Sequence, residues 1–343
     1  MLNKRLLWIL LSFGVFAFCL LKNNRFDIPD YIPRPTYPIP KNSSDNDTVQ
    51  LGRLLFYDNL LSADNRVSCA SCHNSYNAFA HTDHDLSHGV FDSIGNRNAP
   101  ALFNLAWQKE FMWDGAIHHI EAQVLAPLHS PKEMGSSIEE LIEKLNESSF
   151  YRSEFFAVYG DSLINSSRVL KAIAAFELSL VSFGSKYDQV RQGNSEFTEQ
   201  EKRGYAHFQK HCNQCHTEPL FSDFQYKDNG LSIDPSLQDL GRYLITGDAQ
   251  DKYRFKVPSL RNLSYTFPYM HDGRFDKLRQ VLEHYEMIES NHGTRRVDIK
   301  SIPLAFNEQS DLIAFLLTLN DKSFVFNPAF SFPEKLKETL LKH

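Results

Sequence analysis

Apolar residues recur three and four positions apart through most of this chain, and the runs open on residues that cap helices. In "SSIEELIEKL" (136–145) a Ser with Glu close behind precedes the apolar stripe, and "SSRVLKAIAAFELSLVSF" (166–183) carries apolar side chains at helical spacing. Thr198 and Glu201 stand in the S/T-x-x-E arrangement that satisfies two backbone N–H groups reciprocally, so a helix starts there and runs through "QEKRGYAHFQKH". A further helix, "NEQSDLIAFLLTL", follows at 307–319. No segment alternates with the two-residue period of a strand. The pattern predicts a mainly α protein.

The start of the chain breaks this pattern. Lys4 and Arg5 precede sixteen uncharged, mostly apolar residues, Leu6 to Leu21, and Lys22 closes the run. This is an export signal, short for a membrane span and long for a cleaved core, so residues 1–22 read as a signal peptide or a retained anchor. Cys19 offers lipid attachment as a third form, although Phe18 before it is not the small residue such a site has. Each version places the rest outside the cytoplasm. Residues 23–50, with Pro29, Pro33, Pro35, Pro38 and Pro40 followed by "KNSSDNDT", read as a stiff polar linker. A net charge of −6 with Lys and Arg scattered along 343 residues gives no basic stripe, and so no nucleic-acid partner.

Composition allows two ordinary domains, and a repeat suggests they are related. Pro100 to Gly115 aligns without a gap on Pro258 to Gly273, with seven of sixteen positions identical: Pro100/Pro258, Leu102/Leu260, Asn104/Asn262, Leu105/Leu263, Met112/Met270, Asp114/Asp272 and Gly115/Gly273. Two copies this far apart are one duplicated domain and not a solenoid. The expected division is 51–190 and 191–325, with a C-terminal tail at 326–343.

Four of the five cysteines fall into two pairs, Cys69-Ala-Ser-Cys72-His73 and Cys212-Asn-Gln-Cys215-His216. C-x-x-C-H is the attachment sequence of c-type haem: two thiols one turn apart add to the two vinyl groups, and the His ligates iron. One such match arises by chance in roughly three of a thousand chains of this composition, and two far less often. Disulfides would leave both His unexplained, and a four-Cys zinc site would in addition span about 140 residues. Each cysteine pair is therefore expected to hold one covalent haem. Glycine and phenylalanine four apart, Gly52/Phe56 and Gly204/Phe208, precede the two motifs alike.

The repeat also predicts what faces each iron. Thirteen residues on from Asp272 is Tyr285, whose phenol can bind iron; thirteen on from Asp114 is Pro127, which has no donor. The second haem would then be closed and the first open. Met287 and His284 stand beside Tyr285 as rival donors, and an aromatic at a helical position is as readily core as ligand. Peroxide cleavage at an open face needs a proton carrier and a polar group, for which the first half offers His81, His84, His88, Gln123 and Glu133. A His-rich loop is often only a solvated one.

From Leu51 to Leu319 the chain resembles the bacterial di-haem cytochrome c peroxidases and their relative MauG. "LGRLLFYDNLLS", "RNAPALFNLAW", "FMWDG", the Gln123 segment, "SPKEM", "VPSLRNL" and "PYMHDGRF" are similar to that family's signature segments, in the same order. The resemblance implies two cytochrome c-like helical domains, a peroxidatic haem on Cys69, Cys72 and His73, and an electron-transfer haem on Cys212, Cys215 and His216. It further implies His88 as a distal ligand that leaves on activation, Gln123 and Glu133 as the distal-pocket pair, and Trp113 as the relay between haems. Asn98, Thr266 and Pro268 match a calcium site, and Tyr285 matches the distal ligand of the second haem. The peroxidases carry Met at this last position, whereas MauG carries Tyr.

The resulting expectation is a periplasmic enzyme, anchored by its N-terminus or free. It reduces hydrogen peroxide with electrons from a small c-type cytochrome or another periplasmic donor, and a homodimer is left open. A MauG-like oxidation of a partner protein is the first rival, favoured by Tyr285. A di-haem electron carrier is the second.

Overall fold

The computed structural model describes residues 28–40, 46–288 and 297–340. The apolar run at 6–21 and Cys19 lie outside the described residues. Among those described, no helix is long and apolar enough to cross a membrane.

The fold is mainly helical. Helix α1 (Asp47–Tyr57) starts where the Asn46 side chain accepts from Thr48 N and Val49 N. Helices α2 (Ile138–Glu147) and α3 (Ser149–Tyr159) follow, α2 opened by a Ser137/Glu140 capping box and α3 closed by Gly160 at φ 77°. Helix α4 (Ser166–Ser179) ends the first half. In the second half α5 (Glu199–His211) opens on the expected Thr198/Glu201 box, and α6 (Leu278–Glu286) and α7 (Phe306–Leu317) follow. The described strands are one two-residue antiparallel pair, β1 (Tyr226–Lys227) with β2 (Phe255–Lys256).

Both halves use the same crossing. Helix α1 lies against α4 so closely that a Cβ on Gly52 would sit 1.8 Å from Ala172 O, and α5 lies against α7 so that one on Gly204 would sit 1.9 Å from Asp311 O. Phe56 and Phe208, one turn on, are fully buried in the respective cores. Asn104 and Asn262 then tie the repeated segment to the end of each crossing helix. Asn104 N donates to Leu180 O, and Asn262 N to Leu319 O. Their side-chain oxygens accept from Ser182 N (2.8 Å) and Asp321 N (2.8 Å) respectively.

One apolar core spans residues 32–183 and the other 187–319. Two stretches read from the sequence as peripheral are packed instead. Thr36 N and Tyr37 N donate to Ala106 O, Trp107 Nε1 donates to Pro33 O at 2.7 Å, and Ile32 is buried, so 28–40 lies on the first half rather than holding it at a distance. The end of the expected second domain, Phe324 and Val325, and the expected tail, through Phe330 and Leu336, return to the first core, and Tyr57 Oη donates to Phe330 O at 2.6 Å. Their apolar side chains need cover, and the first half supplies it.

Candidate haem sites

Cys69–Cys72 is a single turn of helix, which puts the two sulfurs one above the other on one side. His73 N closes that turn onto Cys69 O at 2.9 Å, and His216 N closes the second motif onto Cys212 O at the same distance. Each imidazole is then held from behind: His73 Nδ1 lies 2.9 Å from Phe79 O, and His216 Nδ1 lies 3.1 Å from Pro258 O. A carbonyl only accepts, so Nδ1 carries the hydrogen and Nε2 keeps its lone pair. That is the tautomer and the backing of an imidazole metal ligand. Burial keeps both rings neutral, His73 being pulled down to about 4 and His216 also lowered.

All four cysteines are free. Burial pushes the Cys69 and Cys212 thiols up to about 12 and raises Cys72 and Cys215 as well. Reactive cysteines sit where nearby positive charge lowers the thiol pKa, and these surroundings do the reverse. They suit neutral thioethers against an apolar macrocycle.

A cavity of about 810 Å³ has Cys212, Cys215, His216 and Tyr285 in one part of its wall and Trp113 and Gln123 in another. Its volume lies in the upper part of the range of roughly 300–1,000 Å³ usual for cofactor sites. Tyr285 faces it from α6. Burial pushes the phenol up to about 12, the Asn229 side chain pulls it back, and Cys212 and Cys215 add to the rise, so it lies close to the second thiol pair. Met287, just past the end of α6, is 53% exposed and does not line the cavity. His284 is tied to Asn229 O through Nε2 at 3.1 Å.

Comparison with known proteins gives this arrangement a family. Residues 46–196 match the family model for di-haem cytochrome c peroxidase. The methylamine utilization protein MauG of Methylophilus methylotrophus is 33% identical over 309 residues, covering 86% of this chain and 88% of that protein. Cytochrome c551 peroxidase of Nitrosomonas europaea is 34% identical over 297 residues, 83% of this chain and 84% of that one. The chain belongs to the di-haem cytochrome c peroxidase family. Among solved structures, a MauG-like protein associated with microbial copper homeostasis superposes with a TM-score of 0.81 at 32% identity, over 90% of this chain and 99% of that one. The diheme peroxidase BthA from Burkholderia thailandensis gives 0.71 at 25% identity, over 82% and 87%.

In this family member the remaining expected residues fall into two groups. On the cavity wall, Trp113 donates through Nε1 to Asn98 O at 2.8 Å, and its own carbonyl accepts from Lys256 N at 2.7 Å. Gln123 is buried on the same wall with Nε2 4.0 Å from Met112 Sδ. Asn98, Thr266 and Pro268 line it too, and Asn98 Nδ2 donates to Asp85 O at 3.1 Å. Away from that wall, Glu133 is half-buried beside the first motif. Burial raises its own pKa, and its charge helps to raise that of Cys72. His88 is there as well, its carbonyl 3.9 Å from Cys72 Sγ and its Nδ1 2.9 Å from Asp92 Oδ1. The His81, His84 and His88 rings stack in sequence at 5.8 and 4.6 Å.

Two residues at the second site carried no signal in the sequence. Lys256 is buried in the cavity wall with Nζ donating to Glu110 O and Gln108 Oε1, and burial lowers its pKa to about 8. Asn229 touches Tyr285, Met270 and His284 at once. The turn dipeptide Asn229-Gly230 marked a loop but not its target.

Proposed function

We propose that this chain is a periplasmic enzyme that reduces hydrogen peroxide to water, taking two electrons and two protons per peroxide. A small c-type cytochrome or a similar periplasmic donor supplies the electrons. Two covalent haems c would be held, one in each of two cytochrome c-like domains that arose by duplication. The observation that carries this reading is the contrast across the repeat. His73 and His216 are backed by carbonyls in the same way, yet the position thirteen residues past the repeated Asp is Pro127 in one half and Tyr285 in the other.

Bound haem iron supplies the one-electron chemistry and the Lewis acidity that breaks the O–O bond. The protein's own groups do the rest. Glu133, kept neutral more readily by its burial, passes a proton from one peroxide oxygen to the other, and Gln123 offers an amide that orients the substrate. His88, whose backbone carbonyl lies 3.9 Å from Cys72 Sγ, would be the displaceable ligand of the first haem. Trp113, in the wall of the cavity that both halves line, is the relay. Asn98, Thr266 and Pro268 would give calcium three neutral oxygens of the six to eight it takes, the rest being water.

Tyr285 specifically favours a second reading. An anionic oxygen ligand stabilises oxidised iron, where a thioether would stabilise reduced iron. A MauG-like enzyme that turns peroxide on a partner protein uses that preference, and both MauG and a MauG-like protein are among the relatives. The test is steady-state oxidation of a reduced small c-type cytochrome by the haem-loaded protein on adding peroxide, with and without partial pre-reduction. Turnover is expected, and Glu133→Gln should lower it by about 10²–10⁴-fold with both haems still attached. Negligible wild-type turnover, with peroxide still altering both haem spectra, would overturn the peroxidase in favour of the second reading.

A further inference from the structure

We infer that Asn229 decides which side chain faces His216 across the second site, by holding the Met270 sulfur in a hydrogen bond and so leaving the Tyr285 oxygen as the donor. This rests on the reading of Tyr285 as the distal ligand.

The cavity wall around His216 presents two donors of different kinds, the Tyr285 phenol and the Met270 thioether. Asn229 stands between them in a tight turn, where Gly230 takes φ 74° and Gly230 N donates to Asp228 Oδ1 at 2.9 Å. The orientation of its amide is not free. Leu231 N donates to Asn229 Oδ1 at 3.2 Å, and since a backbone N–H only donates, the oxygen must face Leu231 and the NH₂ must face the other way. That NH₂ donates to Met270 Sδ at 3.3 Å, and the same side chain lies beside the Tyr285 phenol.

The backbone of the same residue reinforces the choice. Asn229 O accepts from His284 Nε2 at 3.1 Å, which fixes α6 one residue before Tyr285. One residue therefore holds the loop bearing Met270 and the helix bearing Tyr285. A sulfur lone pair engaged by an N–H is a poorer donor to iron, which leaves the Tyr285 oxygen as the donor that faces the site. The first half has a related but looser contact, Gln123 Nε2 at 4.0 Å from Met112 Sδ.

The test uses the haem-loaded protein and reads three quantities: the ferric phenolate charge-transfer absorption, the weak far-red absorption of thioether-bound ferric haem, and the midpoint potential of the second haem. Asn229→Leu removes both amide donors. Asn229→Asp removes them too while keeping the shape and the acceptor for Leu231, which guards against a folding failure in the first variant. Both are expected to lose the phenolate absorption, gain the thioether absorption and raise the potential. Adding Met270→Leu to Asn229→Leu should abolish the thioether signal. Unchanged absorption and potential in both Asn229 variants would overturn the inference. Tyr285→Phe separates the two claims. An unchanged ferric spectrum there would overturn the ligand reading itself and the inference with it. Loss of the phenolate absorption would uphold the ligand, so that unchanged Asn229 variants would then sink the role of Asn229 alone.

Discussion

Replacing Arg261 by Met should destabilise the protein by about 3–5 kcal/mol, the usual cost of leaving one charge of a buried pair without its partner. Arg261 stands in the second copy of the repeat, where the first copy has Phe103. Its side chain and that of Asp188 are fully buried, with Nη1 and Nη2 each 2.9 Å from a carboxylate oxygen. Pro219 O accepts from Nη2 at 2.8 Å, and the guanidinium lies 4.8 Å from the Phe183 ring centre and 5.4 Å from that of Phe221. Asp188 also accepts from Tyr31 Oη at 2.7 Å and Ser185 Oγ at 2.6 Å. The pair thus joins the packed N-terminal stretch, the junction between halves and the second copy of the repeat. Methionine keeps most of the volume and the ring contacts, so the loss isolates the charge.

The assay is unfolding of the haem-loaded protein followed by far-ultraviolet circular dichroism. At about 2–4 °C per kcal/mol for a unit of 150–250 residues, the midpoint should fall by about 6–20 °C. The pH dependence gives a second check. Burial pushes the Asp188 carboxyl up, but the charge and hydrogen bonds of Arg261 outweigh it and hold the group below the ordinary carboxylate range. A depressed folded pKa gives stability that is complete above the unfolded value of about 3.9 and is lost as pH falls through the folded one. In Arg261→Met burial is opposed only by the Ser185 and Tyr31 hydrogen bonds, so Asp188 binds its proton more readily and the variant loses less on acidification. The gap between the proteins should therefore narrow below about pH 4. A gap under about 1 kcal/mol at neutral pH, the size of an exposed pair, would refute the reasoning. So would a gap that does not change with pH.

The remaining predictions are shorter. Gly52→Ala and Gly204→Ala should each cost at least about 1–3 kcal/mol in urea unfolding, because each new Cβ meets a backbone carbonyl at 1.8 or 1.9 Å; a tolerated alanine at either would mean that the crossing is not close there. Phe330→Ala, in the stretch read from the sequence as a tail, should cost about 3–5 kcal/mol by the same measurement, since that ring is buried in the first core. Trp113→Phe should slow turnover with the cytochrome donor while costing only about 1 kcal/mol for the lost bond to Asn98 O, so turnover at the wild-type rate would remove Trp113 from the electron path.

How far the sequence could be read depended on how local the cause was. Helix starts at Ser137 and Thr198 were legible because each capping box closes within four residues. The packing of Pro33 on Trp107 was not, because proline content reports stiffness while the partner lies 74 residues away. The choice between Tyr285 and Met287 was undecidable from spacing for a geometric reason. Two residues apart on a helix differ by about 200° in direction, so only one of them can face a given cavity. Which one it is depends on how α6 is set, and that is fixed in part by His284 on Asn229 O, a contact across 55 residues.

The repeat sharpens this into a rule for where the chemistry lies. Its identical positions hold the chain in shape. Asn104 and Asn262 make matching bonds to the crossing helices, and Gly115 and Gly273 take φ 75° and 71°. The carboxylates of Asp114 and Asp272 cap the N–H two residues on, at Ala116 and Arg274. Identity survives there because a turn has few solutions, and both halves must use the same one. The differences fall where the halves must diverge: Pro127 against Tyr285, Phe103 against Arg261, Trp113 against His271. The first difference is the one on which the proposed contrast between an open and a closed site rests, the second anchors the halves to each other, and the third places an indole in the cavity wall. The proposed working residues thus stand at mismatched positions of the repeat, and the positions that the two copies share would by themselves have pointed to the frame.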